Sequence, residues 1–172
     1  IELHARYVAG ESKSALLDVA RSRATEYGEF INALARSGPA VVVLTVPDLG
    51  LTPYARAQNA IRSDSSRVLS ELTEAFNNRM SVTLINDGRL IGLVYADTEV
   101  QNMYRFPSSF GLSNVNDAAC LGSAALPDCR TNTLVTGATS PSHLWADELR
   151  PGPALQSRLG SLAEFRAQNN PF

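Results

Sequence analysis

Ala40-Val41-Val42-Val43-Leu44-Thr45-Val46, followed at once by Pro47-Asp48-Leu49-Gly50, governs how the rest of the chain is read. The run is much shorter than the roughly 20 apolar residues that cross a bilayer. Its successive valines are stiff at χ1 and fit a pleated surface better than a helix. A strand buried on both faces, as in a parallel sheet, accommodates it. Pro47 cannot extend the ladder, and Asp-Leu-Gly turns the chain.

Upstream, residues from about Ser12 to Ser37 carry Leu16, Ala20, Tyr27, Ile31 and Leu34 at three- and four-residue steps, which predicts an amphipathic helix. Gly38-Pro39 ends it. Downstream, a second helix starts near Ser63-Asp64-Ser65 and carries Leu69, Leu72, Phe76 and Met80. Two continuations are open. One extends the helix through Leu84 to a cap at Gly88, with a buried strand from about Arg89 to Ala96. The other folds Val82–Ile85 and Leu90–Val94 into a hairpin at Asp87-Gly88. The longer helix is preferred, because Thr83 or Leu84 keeps its stripe in phase and a hairpin would break the αβ pattern. Thr98–Arg105 reads as a short helix, and 107–142 as a long loop rich in Ser, Asn, Gly, Pro and Thr. The last helix starts near Pro153, with Leu155, Leu159, Leu162 and Phe165 on one face. This order predicts a single α/β domain over residues 1–172, with parallel strands joined by right-handed crossovers.

The 172 residues are 44% hydrophobic and 19% charged, with a formal net charge of −2. That supplies a core and argues against nucleic-acid binding, which needs a basic excess to neutralise phosphates. No apolar run predicts a transmembrane segment. Ile1-Glu2-Leu3-His4 has neither the cationic start nor the apolar stretch of a signal peptide, as expected of a mature, trimmed or truncated chain. Cys120 and Cys129 are the only cysteines and lie in a Gly/Pro/Asn-rich stretch. A disulfide is the favoured reading and implies a periplasmic, cell-surface or secreted location. Free thiols are the alternative. A metal site is the least favoured, because only His4 and His143 exist to complete a ligand set. No cofactor or metal is expected.

Three segments together resemble the C-terminal part of the GDSL (SGNH-type) lipase/esterase family, especially its secreted bacterial and autotransporter-passenger branch. They are Val41–Pro53, similar to that family's strand plus "PDLGLTP" loop; Phe110–Cys120, similar to "GF-x-NV-x-x-AC"; and Leu144–Pro151, similar to L-F-A-D-x-x-H-P. A second cysteine follows the middle block in many relatives, as Cys129 does here. The resemblance implies hydrolysis of carboxylic esters by a Ser-His-Asp triad, with an ester or lipid small molecule as ligand. It also implies a flavodoxin-like α/β/α sheet. The GDS and G-x-N-D blocks that precede these segments in the family have no counterpart here. The expected fold is therefore a truncated three-layer α/β/α remnant, helix-rich with few parallel strands.

Of the triad, the resemblance leaves only Asp147. Arg150 stands at the histidine position, and a guanidinium with pKa above about 12 cannot take a proton from serine. Negligible turnover is expected, with Asp147 and Arg150 forming a structural clamp. The alternative is a non-catalytic secreted binding or surface-displayed protein. Gly10-Glu11-Ser12, superficially like G-D-S, reads as a helix cap. His143 reads as a solvated loop residue, Asp48 as a turn former, and Trp145 as packing under the last helix. With no inner neighbour, the edge of the Ala40–Val46 strand is expected to pair with Ile1–Val8 or with a second copy.

Overall fold

The computed structural model describes residues 1–85, 90–124 and 126–169. Its fold is mixed α/β and helix-rich, with four short strands in two parallel pairs among the described residues. Strand β1 (Val41–Leu44) pairs with β2 (Ile91–Val94) in register from Val41 opposite Ile91 to Leu44 opposite Val94. Helix α2 (Lys13–Arg36) precedes β1. Two further helices, α3 (Pro53–Gln58) and α4 (Ser65–Thr83), form the crossover to β2. Val43, Ile91 and Leu93 pack on Ala24, Ile31 and Ala35 of α2 and Met80 of α4. On the opposite face, Val42 and Val94 meet Leu155 and Leu159 of the last helix, α6 (Pro153–Asn169). The three layers thus follow from a strand pair apolar on both faces. Each fully buried Leu or Ile contributes about 1.5–3 kcal/mol.

The expected helix over 12–37 is present, with the Ser12 hydroxyl accepting from the Ala15 N–H, so Gly10-Glu11-Ser12 is indeed a cap. Gly38, at φ +125°, provides the turn into β1. Helix α4 stops at Thr83, short of the expected Gly88, which lies outside the described residues with Asn86, Asp87 and Arg89. The reason is tertiary. The Asn32 amide of α2 donates to the Thr83 carbonyl and accepts from the Ile85 N–H, satisfying the groups that further helical turns would have used. Val82 and Thr83 lie in α4, so the first strand of the alternative hairpin does not form.

The Ile1–Val8 segment does not pair with β1. It forms α1 (Glu2–Val8), whose Leu3 and Tyr7, one turn apart, pack on Leu16, Ala20, Val68 and Leu72. The Tyr7 hydroxyl donates to Asp64 at 2.7 Å. Burying this stripe on α2 and α4 overrides strand pairing. Among the described residues the outer edge of β1 has no strand partner.

The long loop also requires correction. After α5 (Ala96–Arg105), residues 107–142 contain a 3₁₀ turn at Pro107–Phe110, strand β3 (Asn114–Ala118) and a second 3₁₀ turn at Thr131–Thr133. A bulged parallel pairing joins β3 to β4 (His143–Trp145). Cys120 and Cys129 form a disulfide with their Cα atoms 5.7 Å apart. No helix among the described residues is long and apolar enough to cross a membrane.

Candidate functional site

Strand β4 delivers Asp147 to a tight turn. The Asp147 Oδ1 accepts the backbone N–H groups of Leu149 at 3.0 Å and Arg150 at 2.7 Å, and its Oδ2 lies 3.4 Å from an Arg150 guanidinium nitrogen. The Ala146 N–H donates to the Arg150 carbonyl, closing the turn. An aspartate two or three residues before such N–H groups turns the chain by this means without outside partners. Trp145 is fully buried against α6, as its sequence position suggested.

The disulfide segment packs alongside. The Ala119 and Cys120 N–H groups donate to the Trp145 and Ala146 carbonyls, and the Arg150 guanidinium reaches the Leu126 carbonyl at 3.5 Å. Between turn and disulfide lies a cavity of about 390 Å³, lined in part by Cys120, Ala124, Asp147, Glu148 and Arg150. The structure thus brings together four residues singled out from sequence: Asp147, Arg150, Cys120 and Cys129.

A proton acceptor for serine does not join them. Among the described residues no imidazole or serine hydroxyl is hydrogen-bonded to Asp147. His143 is buried rather than solvated, because β3–β4 pairing places it in the interior. Its Nδ1 lies 2.8 Å from the Ser142 hydroxyl, a contact that at first sight suggests a nucleophile and its base. That hydroxyl donates to the Thr139 carbonyl at 2.8 Å and accepts from the Thr139 N–H at 2.8 Å. With the hydroxyl proton on the Thr139 carbonyl, the Nδ1-protonated tautomer of His143 completes the set as a donor. The pair therefore staples a turn. Burial lowers the His143 pKa below the ordinary histidine value, against the opposing pull of Asp117.

Asp48, at the carboxyl end of β1, does more than turn the chain. Its carboxylate accepts from the Gly50 N–H, from the Ser70 hydroxyl at 2.6 Å and from the Gln101 amide at 3.1 Å, tying the loop to α4 and α5. A Cβ at Gly50 would collide with the Ser66 carbonyl and the Ser70 hydroxyl, so only glycine lets this loop approach α4. Ser70 and Gln101 carried no signal along the chain, since the hydrogen bonds span 22 and 53 positions.

His4 was also missed. It is buried, edge-on to Tyr54 with ring centroids 6.1 Å apart, and neither ring nitrogen has a hydrogen-bond partner among the described residues. No three His, Cys, Asp or Glu residues among those described are grouped to hold a metal ion. No protein-family model matches the chain, and no curated protein matches it at a significant level.

Proposed function

We propose that this chain is a secreted, periplasmic or surface relative of the GDSL (SGNH-type) esterases that does not cleave esters. One observation carries the reading. The carboxylate of Asp147, which would orient an imidazole in such an enzyme, instead holds both the backbone N–H and the guanidinium of Arg150. A carboxylate in that role fixes the tautomer of a histidine and stabilises the imidazolium formed when serine loses its proton. Arginine stays protonated and offers no site for that proton. Without nucleophile and base, only acceleration from binding remains. The disulfide fits an oxidising compartment. What persists at the Asp147 turn is a scaffold with a cavity of small-ligand dimensions.

The test is hydrolysis of p-nitrophenyl acetate and butyrate by the purified 172-residue chain. The expected rate equals the buffer rate. Turnover that survives Asp147→Ala would refute the site assignment. Turnover lost in His143→Ala would make that imidazole a base and end the non-catalytic reading.

A further inference from the structure

A second cavity, open to solvent on one side, lies away from the Asp147 turn and is bordered by α1, α2, α4 and the segment leaving β1, with a volume of about 230 Å³. Its apolar lining includes Val46, Leu49, Leu69, Leu72 and Phe76. Among the described residues its charged lining groups are Glu2, Arg23 and the Ile1 α-amine; Glu2 and Arg23 meet as a two-pronged pair, and Glu2 also lies 3.6 Å from Arg6. The Arg23 guanidinium donates to the two Glu2 carboxylate oxygens at 2.8 and 3.0 Å, with both side chains substantially exposed. An apolar space beside a guanidinium already seating a carboxylate matches one ligand chemistry: a hydrocarbon tail with a carboxylate head. We infer that this cavity binds a medium-chain alkyl carboxylate, whose head group replaces Glu2 on Arg23.

Size and charge both narrow the ligand. The volume lies below the roughly 300 Å³ at which pockets for drug-sized molecules begin, which favours a slender chain over fused rings. A methylene fills about the space of a liquid water, roughly 30 Å³, so the cavity takes about eight carbons. Burying such a chain removes apolar surface from water in proportion to its length. The flat fork of arginine matches a carboxylate better than a hydroxyl, which sets the head-group preference. Glu2 is then a tethered competitor: α1 supplies from within the chain the carboxylate that the ligand would bring.

The test is calorimetric titration of the full chain with sodium octanoate and with octanol, the binding site located by methyl NMR at Leu69 and Leu72. Saturable octanoate binding at these methyls is expected, tighter than octanol. Glu2→Gln frees Arg23 and should tighten octanoate by about two- to five-fold, the scale of an exposed ion pair. Arg23→Gln should abolish the advantage of octanoate over octanol. Both positions are exposed, so the fold is retained, with circular dichroism as the check. Ala20→Leu, which narrows the cavity, should weaken both ligands. No saturable octanoate binding, equal affinity for the two ligands, or unchanged binding in Ala20→Leu would each overturn the inference. These readings do not involve turnover, so they fail or succeed independently of the ester-hydrolysis assay.

Discussion

The Asp147 carboxylate holds Arg150 twice, accepting its backbone N–H at 2.7 Å and facing its guanidinium at 3.4 Å. The backbone contact forms the turn, and the guanidinium contact is solvent-screened, since the Arg150 side chain is 58% exposed. Asp147→Ala should cost about 0.5–2 kcal/mol, the scale of losing a capping carboxylate. Arg150→Ala, which keeps the backbone N–H, should cost less than about 1 kcal/mol. Urea denaturation of the two variants gives the comparison. Arg150→His should leave p-nitrophenyl ester hydrolysis at the buffer rate, because no described serine hydroxyl is placed to use the new imidazole. An equal loss of stability in both alanine variants would mean that the ion pair, rather than the turn, is what matters.

The disulfide closes a short loop against the turn. Replacing Cys120 and Cys129 together by serine should lower stability by about 2–3 kcal/mol if chain entropy dominates. The Ala119 and Cys120 hydrogen bonds to Trp145 and Ala146 lie outside the closed loop and should persist. Hydrogen exchange at Ala119 and Cys120 measures this directly, with protection retained in the double variant while the loop amides of Leu121 and Ala124 become labile.

His4 sets an acid limit. Burial is the main cause that lowers its pKa below the ordinary histidine value; the N-terminal charge and Arg62 add to the shift and Asp64 opposes it. The neutral ring is thus favoured in the folded state. The unfolded chain binds the extra proton first, so this contribution is intact above the unfolded value near 6.5 and lost as pH falls from there toward the folded value. The urea midpoint should drop between about pH 7 and pH 5, and the drop should shrink in His4→Phe. His143, also lowered by burial, contributes with the same sign, so a residual drop belongs to His143→Phe.

Among the described residues β1 has a strand partner on one edge only. Val41 and Thr45 donate toward β2, so by alternation the Val42 and Leu44 N–H groups point the other way. Leu44 is 41% exposed, an apolar residue on an open edge. If two copies join through this edge, exchange at the Val42 and Leu44 amides slows as protein concentration rises, and sedimentation shows a dimer that Leu44→Lys dissociates. Fast exchange at every concentration would exclude edge pairing.

Residues near one another in sequence made much of this fold legible. The valine run, Gly38-Pro39, the Ser12 cap and the helical stripes are short-range signals, because side-chain periodicity and backbone restriction act within a few positions. They led to the parallel α/β core, and the cysteine spacing led to the disulfide. The polar strand β3 and the three-residue β4 were invisible, because Asn114–Ala118 has no apolar alternation, His143–Trp145 is too short to show a period, and each owes its form to a partner far along the chain. At the candidate site, that Arg150 cannot serve as a base was readable from the residue alone, since a guanidinium stays charged in any fold. Only tertiary structure decided that Ile1–Val8 coils onto α2 and α4, that Asn32 ends α4 at Thr83, that His4 and His143 lie buried, and that Arg23 stands beside an apolar cavity. Each depends on contacts between groups tens of residues apart, which local preference does not encode and which burial of apolar surface selects only when the whole chain has collapsed.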